Sequence, residues 1–229
     1  ITNTLQEYPL YPYLRYEYLR SGLWKASDDE VIDFLKRYPD LPVTERLRSS
    51  WLKLLVKRGH WYTFLDNYTP QTDLTLQCEQ LQARIKTNNH DYLLEDTRSI
   101  WLNGKSLPSQ CDPAFELLYK SELLTNDLVW QRIRLAMRNN ETGLARYLSK
   151  KLDAENRAIA NQWFEIHVDP YKHTDRPALD NNALGREILA HGILRLAQQN
   201  VEKSVRRLDA LKQDYSFTPG ELAEIERTL

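Results

Sequence analysis

Glycine is scarce in this chain, with 7 in 229 residues, and prolines number only 10. An all-β protein with many tight turns needs more of both. Cysteine is scarcer still, at two, so no disulfide-dense scaffold is present. No apolar run approaches the roughly 20 residues of a membrane-spanning helix, so no membrane span is expected. Charge of one sign is also missing: 31 basic residues face 32 acidic ones, for a net charge of −1. The short clusters Arg132/Arg134/Arg138 and Arg206/Arg207 fall within helical patterns and read as solvated faces. A basic stripe of the kind nucleic acid requires is absent, so no nucleic-acid partner is expected. Ile1 opens directly into polar sequence without a signal peptide. The chain therefore reads as soluble, either cytosolic or a mature fragment whose targeting segment is missing.

Motifs with built-in chemistry are missing too. The five histidines, His60, His90, His167, His173 and His191, form no H-E-x-x-H or comparable ligand set. No metal site is expected, because His167 and His173 stand six apart across a proline. There is no G-x-S-x-G elbow, no phosphate-binding G-x-x-x-x-G-K-[ST] and no G-x-G-x-x-G, so no cofactor is expected. Glycosidase chemistry needs a carboxyl group held as a proton donor. Asp28, Asp29 and Glu30 are explained by helix capping, and Glu95 and Asp96 by the polar side of a helix. Glu165 and Asp169 carry no sign of burial. The N-x-T patterns at Asn67 and Asn140 are short enough to arise by chance.

What the chain does have is helical grammar. Ser27 and Glu30 stand three apart, as in a capping box, ahead of Val31, Ile32, Phe34 and Leu35. Pro39 and Pro42 stop that helix at about Tyr38. Thr44 is placed to cap the next, which buries Leu47, Trp51, Leu54 and Leu55 and ends at Gly59. A short helix follows from Trp61 to Tyr68. The same period continues through Leu74 to Ile85, Tyr92 to Leu102, Phe115 to Leu123, Leu128 to Met137 and Leu144 to Leu152. It goes on through Ala158 to Ile166, Ala183 to Leu196, Val201 to Leu211 and Glu221 to Leu229. The stretches KRGHWYTFL, RNNETGLARYL and QQNVEKSVRRL each read as a helix end, a polar turn and a new helix. Amphipathic pairs of this kind bury their apolar faces only against neighbours. The expected fold is all-α, an irregular helical-hairpin array forming a curved superhelix.

The segment YPLYPYLRYEYLR, Tyr8 to Arg20, concentrates five tyrosines and two prolines. Pro12 suits the first turn of a helix, where its missing N–H costs nothing. Leu14 and Tyr18 then share one face and Tyr16 and Leu19 an adjacent one. Packing between helices explains this aromatic density better than a ligand platform does. Cys78 and Cys111 leave two readings open on spacing alone: small buried hydrophobes in a reduced protein, or one disulfide in an oxidising compartment. Closing a loop of that length would contribute about 3.5–4 kcal/mol.

Three stretches, YPLYPYLRYEYL, WLNGKSLPSQCDPAFELL and RIRLAMRNNETGLARYL, resemble in order the N-terminal helical region of the periplasmic soluble lytic murein transglycosylases. They span Tyr8 to about Leu148; from about Asp153 onward the likeness is one of helical character alone. The resemblance implies a U-shaped α-superhelix that forms a ring with a linker domain and precedes a lysozyme-like catalytic domain. It also implies a Cys78–Cys111 disulfide and a periplasmic location. The family's catalytic signature, an E-S pair followed by G-L-M-Q and A-Y-N-x-G-P stretches, does not occur here. No catalytic residue carries over, and residues 1–229 are expected to form a single non-catalytic domain. Its implied partners are the catalytic domain of the same enzyme, peptidoglycan glycan strands held weakly, and other periplasmic cell-wall proteins. The competing expectation is a free-standing α-solenoid adaptor that grips a protein in its concave groove.

Overall fold

The computed structural model describes residues 8–229, so the reading that Ile1 opens without a signal peptide lies outside the described residues. Fourteen α-helices and no strand occur among the described residues. The chain divides into two compact units, one running to Leu124 and the other from Thr125 to Leu229. No helix among the described residues is long and apolar enough to cross a membrane.

Unit 1 holds α1 (Tyr11–Ser21), α2 (Asp28–Arg37), α3 (Pro42–Arg58), α4 (Trp61–Asn67), α5 (Leu74–Lys86), α6 (Leu93–Trp101) and α7 (Asp112–Tyr119). A single 3-10 turn, Ser109–Cys111, leads into α7. Each helix packs on the next in the chain, and α5 also touches α3 and α7. The main core gathers Leu19, Phe34, Leu47, Trp51, Leu55 and Phe64, all buried.

The capping box of α2 is present: Ser27 Oγ accepts from Glu30 N–H at 3.2 Å, and Ser27 N–H donates to the Glu30 carboxylate at 3.1 Å. Helix α3 corrects the expected start. It begins at Pro42, whose fixed φ suits the first helical position, and Leu41 stands at the cap. Thr44 is therefore inside the helix and buried, and its hydroxyl donates to the Tyr38 carbonyl at 2.5 Å, which satisfies the frayed end of α2. Along α3, Leu52 takes a fully buried place while Leu54 is half-buried.

Three helix ends share one left-handed closing residue: Gly59 (φ 73°), Asn88 (φ 57°) and Asn140 (φ 60°). In each, the next N–H reaches back five residues, as His60 does to the Leu55 carbonyl, Asn89 to Arg84 and Glu141 to Ala136. The turn at Asn200 looks alike in sequence but works differently. Asn200 is extended and caps the following helix, accepting from Lys203 N–H at 2.8 Å.

The tyrosine-rich α1 divides between the two faces. Tyr16 and Leu19 are buried against α2 and α3, as expected. Leu14 and Tyr18, the other pair, are 54% and 62% exposed, which corrects the expectation that both pairs pack. Among the described residues α1 packs on α2 and α3, which cover the Tyr16/Leu19 face and leave the Leu14/Tyr18 face open.

Unit 2 holds α8 (Asn126–Arg138), α9 (Thr142–Ser149), α10 (Ala154–Val168), α11 (Pro170–His173), α12 (Ala183–Gln199), α13 (Val201–Asp214) and α14 (Pro219–Glu226). Helix α12 is its hub, packing on α10, α11, α13 and α14. Two glycines make that approach possible. A Cβ on Gly192 would stand 2.6 Å from Ile166 Cγ2 and 2.7 Å from Thr174 Cγ2, and one on Gly185 only 2.0 Å from the Asp180 carbonyl oxygen. Gly192→Ala should cost about 1–3 kcal/mol by overpacking. Gly185→Ala should cost at least as much, because the atom it meets is backbone. Urea unfolding of both variants checks this; neutral substitutions would mean that α12 sits further from its neighbours.

Candidate functional site

The Cys78–Cys111 disulfide joins α5 to the turn that opens α7, with Cα atoms 4.6 Å apart and both cysteines fully buried. It encloses α6 and the loop after it. Beside it lies an acid that was not singled out from sequence. Glu79 is only 7% exposed, and its Oε2 has no hydrogen-bond partner. Burial raises its carboxyl above the ordinary range, against the opposing pull of Lys53 and Lys57, while Asp73 pushes the same way as burial. The signal was available: Leu76, Glu79 and Ala83 follow the helical spacing of one face, and the other two are fully buried. Glu79→Met should raise the melting temperature more at pH 8, where the wild-type carboxylate is charged, than at pH 5. Equal gains at the two pH values would show that the carboxylate is solvated after all.

The acids weighed from sequence do not converge. Asp28 is the busiest: it accepts from Trp51 Nε1 at 3.0 Å and Arg58 Nη1 at 3.3 Å, and lies 2.9 Å from His60 Nδ1, tying α2 to α3 and its following turn. Asp29 and Glu95 are exposed. Glu30 serves the capping box, Asp96 pairs with Arg84 at 2.6 Å, and Asp169 caps α11 by accepting from Lys172 N–H at 3.1 Å. Glu165 is exposed, 3.7 Å from His173 Nδ1. Among the described residues no group of three or more histidine, cysteine and acidic side chains is placed to hold a metal ion.

The arrangement of most chemical interest lies within unit 2. His167 on α10 and His191 on α12, 24 residues apart, meet at 3.0 Å between Nδ1 and Nε2, with rings 19° from coplanar. One ring nitrogen donates and the other accepts, which needs at least one neutral imidazole. Burial, then the charge of His167, then Arg195 pull His191 down to about 4, and His167 is lowered by burial, Arg195 and Arg146. Trp163 sets its ring at 76° to His191 and stacks on Trp130, whose Nε1 donates to Asn156 at 2.7 Å. The Trp163 indole N–H is buried and has no acceptor.

Above these rings is a cleft of about 480 Å³ lined from α8, α10, α12 and α14. Trp163, His191, Met137, Leu194 and Ile225 line it along with charged groups of both signs. Arg134 Nε reaches both Glu187 carboxylate oxygens, at 2.7 and 2.9 Å. Glu221 is engaged by Arg186 at 3.0 Å and by the Thr218 N–H at 2.7 Å, its part in a second capping box. The result is a half-apolar recess with paired charges on its walls.

A family model for the Cucumovirus coat protein matches residues 72–165. That is under half of the chain, and the match crosses the boundary at Leu124 between the two units, so it delimits no folded body. Relatives match along far more of the chain. The soluble lytic murein transglycosylase of Escherichia coli strain K12 is 27% identical over 224 residues, covering 96% of this chain and 35% of the relative. That of Salmonella typhimurium strain LT2 is 32% identical over 168 residues, covering 72% of this chain and 26% of the relative. The solved structure of the 70 kDa soluble lytic transglycosylase of Escherichia coli superposes with a TM-score of 0.81 at 26% identity, covering 98% of this chain and 37% of that one. The likeness thus continues past Asp153, where the sequence motifs thin out. In sequence and in fold the chain is similar to the N-terminal helical part of the soluble lytic murein transglycosylases, and it spans about a third of their length.

Proposed function

We propose that residues 1–229 act as one non-catalytic scaffold domain of a soluble lytic murein transglycosylase. In this reading the parent enzyme cleaves the β-1,4 bond between N-acetylmuramic acid and N-acetylglucosamine and leaves 1,6-anhydro ends. This portion positions the catalytic domain and contacts glycan strands weakly. The observation that carries the reading is a similarity running along 96% of this chain yet over only 35% of the relative. The scattered acids support the non-catalytic part: Asp28, Glu30, Asp96 and Asp169 are each engaged in an ion pair or a helix cap. The fully buried disulfide suits an oxidising compartment and so supports a periplasmic location.

The test is to incubate the purified chain with cell-wall sacculi and score sedimentation together with release of 1,6-anhydro muropeptides. Binding without release is expected. Anhydro product from the chain alone, free of contaminating enzyme, would overturn the non-catalytic reading.

The protein-adaptor alternative has one observation in its favour. Leu10, Leu14 and Tyr18 form an exposed row along α1, and Trp24, 68% exposed, follows α1 in the chain. Stoichiometric capture of a periplasmic protein that Tyr18→Ser abolishes, with no sedimentation on sacculi, would favour it.

A further inference from the structure

The loop of residues 102–108, between α6 and the 3-10 turn, carries Asn103 followed by Gly104. No other asparagine in the sequence precedes a glycine. Such a pair sets the two partners of an intramolecular substitution on adjacent residues: an electrophilic side-chain amide carbon and the next main-chain nitrogen. Glycine leaves that nitrogen open to approach, because no Cβ stands beside it. The loop adds a second condition. Asn103 and Gly104 belong to no helix, so their peptide is not locked in a helical hydrogen-bond ladder, as those of Asn156 and Asn161 are within α10. A third condition is the partner of the side chain: Asn103 Oδ1 accepts from Lys105 N–H at 2.9 Å. That bond closes a turn around the Gly104 peptide and directs the side-chain amide toward the chain that follows. It also draws electron density off Cγ, the atom to be attacked, and is placed to steady negative charge that develops on Oδ1.

We propose that Asn103–Gly104 is a self-modification site, at which the chain converts its own asparagine to aspartate and isoaspartate. The Gly104 nitrogen loses its proton to base and attacks Asn103 Cγ. The Cγ–Nδ2 bond breaks, Nδ2 takes up a proton and leaves as ammonia, and a five-membered succinimide remains. Water then opens the ring. Breaking the bond from the nitrogen to Cγ leaves aspartate, and breaking its bond to the main-chain carbonyl carbon leaves isoaspartate. Both ends of the loop are fixed, because Trp101 and Cys111 are fully buried and Gly104 is itself buried. Isoaspartate lengthens the main chain within that span and sets a carboxylate beside the buried glycine, so the product loosens unit 1.

The test is to age the full chain at pH 8 and 37 °C and to follow residue 103 by peptide mass and enzymatic methylation of isoaspartate. Modification at Asn103 should run at least tenfold faster than at any other asparagine, and within tenfold of its rate in the chain unfolded in guanidinium chloride. An intact Asn103, a second asparagine reacting as fast, or a folded rate more than tenfold below the unfolded one would each overturn the proposal. In the last case the loop holds the amide away from the nitrogen.

Asn103→Ser keeps an oxygen that can accept from Lys105 N–H and cannot form the ring. Ageing should therefore lower the melting temperature of the wild type and leave that of Asn103→Ser unchanged. Equal loss in both would show that the damage to stability arises elsewhere and would overturn the link to unit 1.

Discussion

Cys78→Ser should lower the melting temperature of unit 1 by roughly 10 °C in oxidised protein and by much less when reductant is present. The bond closes a loop with a sequence separation of 33 residues, which restricts the unfolded chain by about 3.7 kcal/mol at 25 °C. That loop contains α6, whose own contribution is small: it buries Leu93, Thr97 and Trp101 in a nine-residue helix. Without the crosslink, α6 and α7 are held to α5 by the small cluster of Leu81, Leu93 and Ala114. The variant must be compared with wild-type protein treated with reductant, because serine adds a buried hydroxyl with its own cost. Cys78→Ala separates the two effects, since it removes the bond without adding a polar group. Reduced wild type and oxidised Cys78→Ala should then melt within a few degrees of each other. Equal loss for Cys78→Ser in both conditions would show that packing, and no bond, makes Cys78 matter.

Local features were legible in the sequence because their physics is local. The Ser27/Glu30 capping box needs only residues three apart, and the left-handed residue at Gly59 needs only its own missing Cβ. Thr44 was misread as a cap because two good local signals compete there. Proline two residues earlier starts the helix, and the threonine hydroxyl finds its acceptor in the preceding helix instead. The QQNVEKSVRRL turn was read as equivalent to two others, but which backbone conformation an asparagine adopts depends on the helix that follows. Face assignment along α1 was beyond the sequence for a different reason. Leu14/Tyr18 and Tyr16/Leu19 are equally apolar stripes, and only the positions of α2 and α3 decide which is covered.

The candidate site was less legible than the fold. The His167–His191 contact joins residues 24 positions apart, and no spacing rule links them; it exists because Gly192 lets α12 come close to Ile166 and Thr174. The cleft next to it draws on four helices, so it appears only once all four are placed. Glu79 was readable as an acid in an apolar register.

The histidine pair makes the stability of unit 2 depend on pH in a defined direction. His191 titrates near 6.5 when unfolded and at about 4 when folded. Above pH 6.5 the imidazole is neutral in both states and the packing of α10 on α12 is at full strength. Below it the unfolded chain takes up a proton that the folded protein refuses, so stability is lost as pH falls from about 6.5 to about 4. The full loss is about 3 kcal/mol. The surroundings offer the charged form little relief: Arg195 donates to the His167 carbonyl at 2.8 Å, Arg146 is nearby from α9, and Trp163 presents only a ring. Glu187, one turn before His191, is occupied by Arg134. His191→Gln removes the titration and keeps a side chain able to hydrogen-bond His167. Amide hydrogen exchange in α10 and α12 should therefore accelerate on acidification from pH 7 to pH 4.5 in the wild type much more than in His191→Gln, after correction for intrinsic rates. Exposed pairs such as His173 with Glu165 are common to both proteins and cancel in that comparison. Parallel pH profiles for the two proteins would mean that His191 is reached by solvent and carries its proton freely in the folded state.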